Sequence, residues 1–166
     1  MKICYAVLHY DRAYADPPSY LARTPIHREI PREMARLGHE VEVVHLFPAN
    51  ADFEEDAVRY RFVASGPVER SLSRVAGVIL RRDPALYEPA LRAIAAIRAS
   101  HPDLVHFHSV TLHWNLLLLT TLLGGEAPPI VLHFHGGYPA RNPVARAAQH
   151  TGFARAERVL FTTRAH

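Results

Sequence analysis

Twelve of the chain's 166 residues are histidine, and six of them, His9, His45, His106, His108, His133 and His135, stand at or near the ends of aliphatic runs. An imidazole titrates near neutrality, gives or takes a hydrogen bond and ligates metals, so strand ends that carry it are where chemistry is to be sought. The runs close in His9-Tyr10-Asp11, in His106-Phe107-His108-Ser109, in His133-Phe134-His135-Gly136-Gly137 and in Thr162-Thr163-Arg164. Because strand side chains alternate, His106 and His108 face one way, as do His133 and His135. A lone histidine at a strand end reads most simply as a hydrogen-bonded rim residue. Three neighbouring strands ending this way read instead as a crevice lined by His9, His108 and His135. His106 and His133, one step deeper, read as buried imidazoles held by backbone or neighbouring polar groups. Gly136-Gly137 is either a plain turn or a point where the backbone comes close to a ligand.

The elements that must position these residues follow from hydrophobic pattern and breakers. Lys2 to His9 is an aliphatic run without polar alternation, as expected of a strand covered on both faces. The stretch from Tyr10 to Ala22 reads as irregular. Thr24-Pro25 then supplies a helix start, Ile26, Ile30, Met34 and Leu37 recur at helical spacing, and Gly38 supplies the stop. Pro31 lies inside this pattern and implies a kink or a late start. Strands are expected at Glu40–Phe47, Val58–Val63, Asp103–His108, Pro129–His135 and Arg158–Thr163, with Pro48–Asp56 an acidic loop. Helices are expected at Ser71–Leu80, Pro84–Ala99, Thr111–Leu123 and from Pro143. Alternating strands and helices imply an α/β fold with a Rossmann-like open parallel sheet, right-handed crossovers and helices on both faces. A strand order of 3-2-1-4-5-6 would make the first, fourth and fifth strand ends neighbours.

Composition removes several classes. The chain is 49% apolar and 21% charged with a net charge of +3, far from the composition of disordered, collagenous or coiled-coil sequences. Its pI is near 9.3, but all basic residues except Lys2 are arginines interleaved with acids, which is no nucleic-acid groove. The longest apolar stretch, Leu116 to Leu123, is far shorter than the roughly 18 residues that span a bilayer. A single cysteine, Cys4, and no recognisable secretion signal fit a reducing, cytoplasmic setting. Arg28, Arg32 and Arg36 beside Glu29 and Glu33 form a solvated helix face with local ion pairs, or alternatively a peripheral contact with the inner face of a membrane. G-x-G-x-x-G after the first strand, G-x-x-x-x-G-K-[ST] and G-x-S-x-G are all absent, which removes support from dinucleotide, P-loop and serine-hydrolase readings.

The order of motifs resembles the N-terminal half of GT-B-fold glycosyltransferases of the retaining group 1 or family 4 type, a group that includes sucrose synthase and bacterial lipid mannosyltransferases. MKICYAVLHY is similar to that family's first strand, and MARLGHEVEVVH to its Leu-x-x-x-Gly-His-Glu-Val passage. HPDLVHFHS resembles its Pro-Asp-Val-Val-His-x-His, APPIVLHFHGG its Pro-x-Val-x-Thr-x-His-Gly, and ERVLFTT a later strand that usually ends in Ser. The likeness covers nearly the whole chain in the correct order. It implies that His135 is the active-site histidine, and that His9, Asp11, His108, Ser109, Gly136 and Gly137 bind substrate. His133 takes a position that is usually Thr. The family's Gly-Gly loop after the first strand is replaced here by DRAYADPPSYLART.

The resemblance further implies transfer of a sugar from a nucleotide-diphosphate donor to a carbohydrate or lipid-linked acceptor, with no resident cofactor. In that family a C-terminal domain carrying a paired-Glu motif binds the donor. The expectation is therefore a single domain over residues 1–166, a fragment of a two-domain enzyme and inactive alone. Two other readings stand beside this one. The His-x-His pairs suit a metal-dependent hydrolase, although Asp103 begins its strand and so lies at the far edge. The same fold also serves non-catalytic binding modules.

Overall fold

The computed structural model describes residues 1–9, 13–14, 16–80, 88–109, 113–124, 127–134 and 143–161. Seven strands among them form one sheet: β1 (Lys2–Val7), β2 (Glu40–Phe47), β3 (Ala51–Glu55), β4 (Val58–Ala64), β5 (Leu104–Ser109), β6 (Ile130–Phe134) and β7 (Arg158–Phe161). Their order is β3-β4-β2-β1-β5-β6-β7. All neighbours run parallel except the β3–β4 pair. Without β3, this is the order under which the first, fourth and fifth expected strands become neighbours, with β1 at the centre.

Six helices among the described residues accompany the sheet: α1 (Pro17–Arg23), α2 (Ile26–Arg36), α3 (Pro67–Leu80), α4 (Leu91–Ser100), α5 (His113–Leu122) and α6 (Pro143–Ala154). Strand alternation divides the apolar residues into two layers. Cys4, Ala6 and Leu8, with Val44, Leu46, Val105, Phe107, Ile130 and Leu132, pack against α4 and α5 through Ile94, Ile97, Leu116 and Leu119. On the opposite face Tyr5, Val7, Val43, Phe47, Tyr60 and Phe62 pack under Tyr20 and Leu21 of α1, with Ile30 and Met34 of α2 at the margin. Each fully buried large side chain contributes about 1.5–3 kcal/mol, so both layers matter to stability. Asn115 of α5 ties the end of β1 to the segment before α4 at the carboxyl edge. It is buried, its Nδ2 donates to the Leu8 carbonyl (2.6 Å) and the Glu88 carbonyl (3.1 Å), and its Oδ1 accepts from the Ala90 N–H (3.0 Å).

Several expectations are corrected. The stretch read as irregular contains α1, whose Asp16 side chain caps the helix by accepting from the Ser19 N–H at 2.9 Å, with proline at the first turn. Pro31 does not break α2, which is continuous from Ile26 to Arg36. The buried positions of that helix are His27 and Pro31, and Leu37 is exposed, so the inward face is rotated from the one expected. α3 begins at Pro67, four residues earlier than the pattern suggested. α4 begins at Leu91; residues 84–87 of the helix expected from Pro84 lie outside the described residues.

The acidic loop holds β3, which returns antiparallel along β4 through Asp56 and Ala57. Both turn residues have positive φ, +52° and +61°, the pattern of a two-residue type I′ connection. The pairs Arg28–Glu55 and Arg32–Asp56 (3.4 Å) bind α2 to this hairpin, and among the three arginines of the expected stripe only Arg36 pairs within the helix, with Glu33 at 3.0 Å. Two of the stripe's three arginines are therefore engaged across elements and the third locally.

Ala57 carries a Cβ in the left-handed region, which costs about 1–2 kcal/mol, while glycine there has the larger unfolded-state entropy to lose. Ala57→Gly is expected to raise stability by about 0.5–1 kcal/mol net, read as a higher urea midpoint at unchanged slope.

Candidate functional site

The register of β1 with β5 places Tyr5 beside His106 and Val7 beside His108, and β6 sets His133 beside His108. All of these project from the α1/α2 face of the sheet. His45 of β2 is opposite Val7 and joins them. α2 brings His27 down onto the same face. Its ring lies 4.4 Å from that of His108, at 88°, and 6.0 Å from that of His45. His9, just past β1 and half-buried, lies 5.9 Å from His27 and 5.5 Å from His45. His133 lies 5.2 Å from His108 and 5.3 Å from His106. Six imidazoles thus form one connected layer below the carboxyl edge, the location where ligands bind in open parallel sheets.

Burying imidazole requires partners for its ring nitrogens, and two tyrosines supply them. A hydrogen bond of 2.6 Å joins the Tyr5 hydroxyl and His108 Nδ1, and another joins the Tyr20 hydroxyl and His27 Nδ1. Burial, with Tyr20 and Tyr60 adding to it, pushes the Tyr5 phenol upward, so it keeps its proton. His45 Nδ1–H donates to the Leu46 carbonyl at 2.7 Å, which sets the tautomer and leaves the lone pair on Nε2. That Nε2 is buried and has no hydrogen-bond partner among the described residues. Burial chiefly, and then His9, hold the His45 imidazole well below its ordinary value, so the ring is neutral. Phe62 stacks on it at 5.3 Å and 16°.

Of the residues singled out in the sequence, His9 and His108 lie on this one face, both bordering His27. His108 is only 3% exposed, as buried as His106 beside it. Ser109 ends β5, paired with Phe134. Asp11, His135, Gly136 and Gly137 lie outside the described residues. His27, Tyr5 and Tyr20 were not singled out. A readable signal existed for His27, which stands four residues before Pro31 and seven before Met34 on one helix face. The tyrosines offered none, because their hydroxyl partners come from other elements. Among the described residues no group of three or more His, Cys, Asp or Glu side chains is arranged to hold a metal ion. No described helix is long and apolar enough to cross a membrane. Cys4 is buried, and desolvation, with Glu42 next to it, pushes its thiol upward, away from the reactive thiolate.

An open α/β sheet with polar side chains gathered at the carboxyl edge of its central strands defines the Rossmann-like class. Within that class the chain belongs to Glycosyltransferase Family 4, whose sequence profile matches residues 28–166. The fold is that of half a GT-B enzyme, and the role is that of a glycosyltransferase domain. No curated protein sequence matches the chain.

The neutrality of His45 has a testable sign. Its folded value lies below the ordinary 6.5, so as pH falls the unfolded chain takes up the proton first. This residue's share of stability is complete above about pH 6.5 and is lost as pH falls below that, by up to ~1.4 kcal/mol per pH unit. His45→Phe, which keeps a ring against Phe62, is expected to flatten the decline in urea-unfolding free energy between pH 7 and 5.

Proposed function

We propose that this chain is the acceptor-side half of a retaining glycosyltransferase that moves a sugar from a nucleotide-diphosphate donor to a carbohydrate or lipid-linked acceptor. The observation that carries the reading is the imidazole layer of His9, His27, His45 and His108 at the carboxyl edge of a Family 4 sheet. Glycosyl transfer passes through an oxocarbenium-like state, so the protein's work is positioning and stabilising the leaving diphosphate. Buried imidazoles and phenols suit the first task as a rigid polar floor beneath the rim, with the half-exposed His9 above it able to give or take a hydrogen bond with a sugar hydroxyl.

In this reading His135 is the catalytic residue and contacts the transferred sugar or its acceptor. His9, Asp11 and His108 shape the acceptor side, with Ser109 and the Gly136-Gly137 backbone near the substrate. The interior tyrosines act as positioning groups: Tyr5 orients His108, and Tyr20 orients His27. The donor is a co-substrate held mainly by a second, C-terminal domain, no resident cofactor takes part, and the work is done in the cytoplasm. A buried lone cysteine fits that reducing setting.

The test is transfer from a panel of nucleotide sugars by this domain joined to its donor-binding domain, with product stereochemistry read by NMR. Retention of the donor's anomeric configuration and a kcat lowered about 100-fold or more by His135→Ala are expected, the size seen when one transition-state contact is removed. The 166-residue chain alone should show no turnover. Inversion, or unchanged transfer by His135→Ala, would overturn the assignment. Hydrolysis dependent on a stoichiometric metal would establish the hydrolase reading in its place.

A further inference from the structure

α3 is inverted relative to an ordinary surface helix. The row Glu69, Ser73 and Gly77, at four-residue spacing, faces inward and is buried. Glu69 is held there by the Gly66 N–H and by the Arg92 N–H at 2.8 Å. The outward row is the apolar one. Val68, Leu72, Val75 and Ile79 recur at spacings of four, three and four, with Val78 beside them, and they are 51–79% exposed. None belongs to either core layer. A soluble helix normally turns such a stripe inward.

A third row decides what this stripe meets. Arg70 and Arg74, both exposed and one turn apart, lead at the same spacing into Val78. The Arg70 guanidinium also donates to the Ser65 carbonyl, which fixes it at the start of the helix. The only acid of the helix, Glu69, is buried and engaged, so the outer surface of α3 is apolar and cationic with no exposed carboxylate of its own. The stripe presents on the order of 500 Å², short of the ~800 Å² per partner of a stable protein interface. Aliphatic side chains flanked by arginine on a single helix are the arrangement that lies in an anionic lipid interface, with the chains in the acyl boundary and the guanidinium groups at the headgroups.

We propose that α3 is a peripheral membrane-docking helix, which seats Val68, Leu72, Val75, Val78 and Ile79 in an anionic lipid surface under the guidance of Arg70 and Arg74. The peripheral contact therefore belongs here rather than to the Arg28, Arg32 and Arg36 row of α2, where Arg28 and Arg32 pair with the hairpin and Arg36 pairs with Glu33. α3 opens directly after the carboxyl end of β4, so its first turn starts from the edge that carries the imidazole layer.

Cosedimentation of the chain with vesicles of phosphatidylcholine alone and of phosphatidylcholine with phosphatidylglycerol tests this. Binding to the anionic vesicles is expected, weakened by 0.5 M salt, which shortens the screening length to a few ångströms, roughly 4 Å. The double variant Val75→Glu with Ile79→Glu should lower binding at least about tenfold, because each change places a charge in the lipid boundary. Arg70→Gln with Arg74→Gln should remove the preference for anionic vesicles. All substituted positions are exposed, so unchanged circular dichroism and Tm are expected and separate a docking defect from misfolding. A Leu72→Trp chain should show a blue-shifted emission component on the anionic vesicles. No binding to either vesicle, or equal binding by the Glu double variant, would overturn the proposal. So would a concentration-dependent dimer that this variant abolishes, since the stripe would then meet a second copy.

Discussion

The interior of this sheet is organised by the need to give buried imidazoles polar partners. Leaving a buried polar group without a hydrogen bond costs a few kcal/mol, so a face that buries imidazoles beneath α1 and α2 is stabilised by oxygens that reach their ring nitrogens. Tyr5 and Tyr20 supply two and the Leu46 carbonyl a third. The β1–β5 register carries this arrangement, since it sets Tyr5 and Val7 beside His106 and His108. A slip of one residue would turn both imidazoles into the aliphatic layer with Ile94 and Leu119, away from Tyr5 and Tyr20. Hydrophobic pattern and polar satisfaction therefore select the same pairing.

The two faces of the sheet have different work as a result. The face under α4 and α5 is almost wholly aliphatic and supplies stability by burial. The opposite face trades aliphatic bulk for rings, which pack edge-on, tilted or stacked with centroids 4.4–6.3 Å apart. Pairing of Arg28 and Arg32 with the β3–β4 hairpin fixes α2 on that face, and so fixes the depth of His27. Asn115 ties the end of β1 to the segment before α4, holding the rim from the other side. Rigid elements therefore carry the imidazoles, as expected of a site that works by positioning.

Membership of Glycosyltransferase Family 4 gives this layer a context, because in the function proposed above the domain orients hydroxyl groups against a departing diphosphate. Imidazoles packed inside a sheet can serve as a shaped floor under such a substrate. His45 illustrates the principle, with its tautomer set by a backbone carbonyl and its protonation set by burial. The protonation of that imidazole thus arises from the depth of its strand.

Much of the fold was legible in the chain. Aliphatic runs marked β1, β2, β4, β5, β6 and β7, and their alternation with helices implied the parallel sheet they form. Two elements escaped for local reasons. β3 is acidic and enters its turn through Asp56-Ala57, where a glycine would have announced the hairpin, and α1 is opened by two prolines that read as loop despite the capping Asp16. Of the site, His9, His45, His106, His108 and His133 were visible as strand-end imidazoles, while His27, Tyr5 and Tyr20 were not. Strand, helix and stop signals act between residues a few positions apart, so the sequence by itself determined which elements form and which side chains end them. Which imidazole meets which hydroxyl, and which face of α2 and α3 turns inward, is set between residues up to 103 positions apart. Only the packed sheet decides those, because the energy of a buried polar pair exists once both partners have left water.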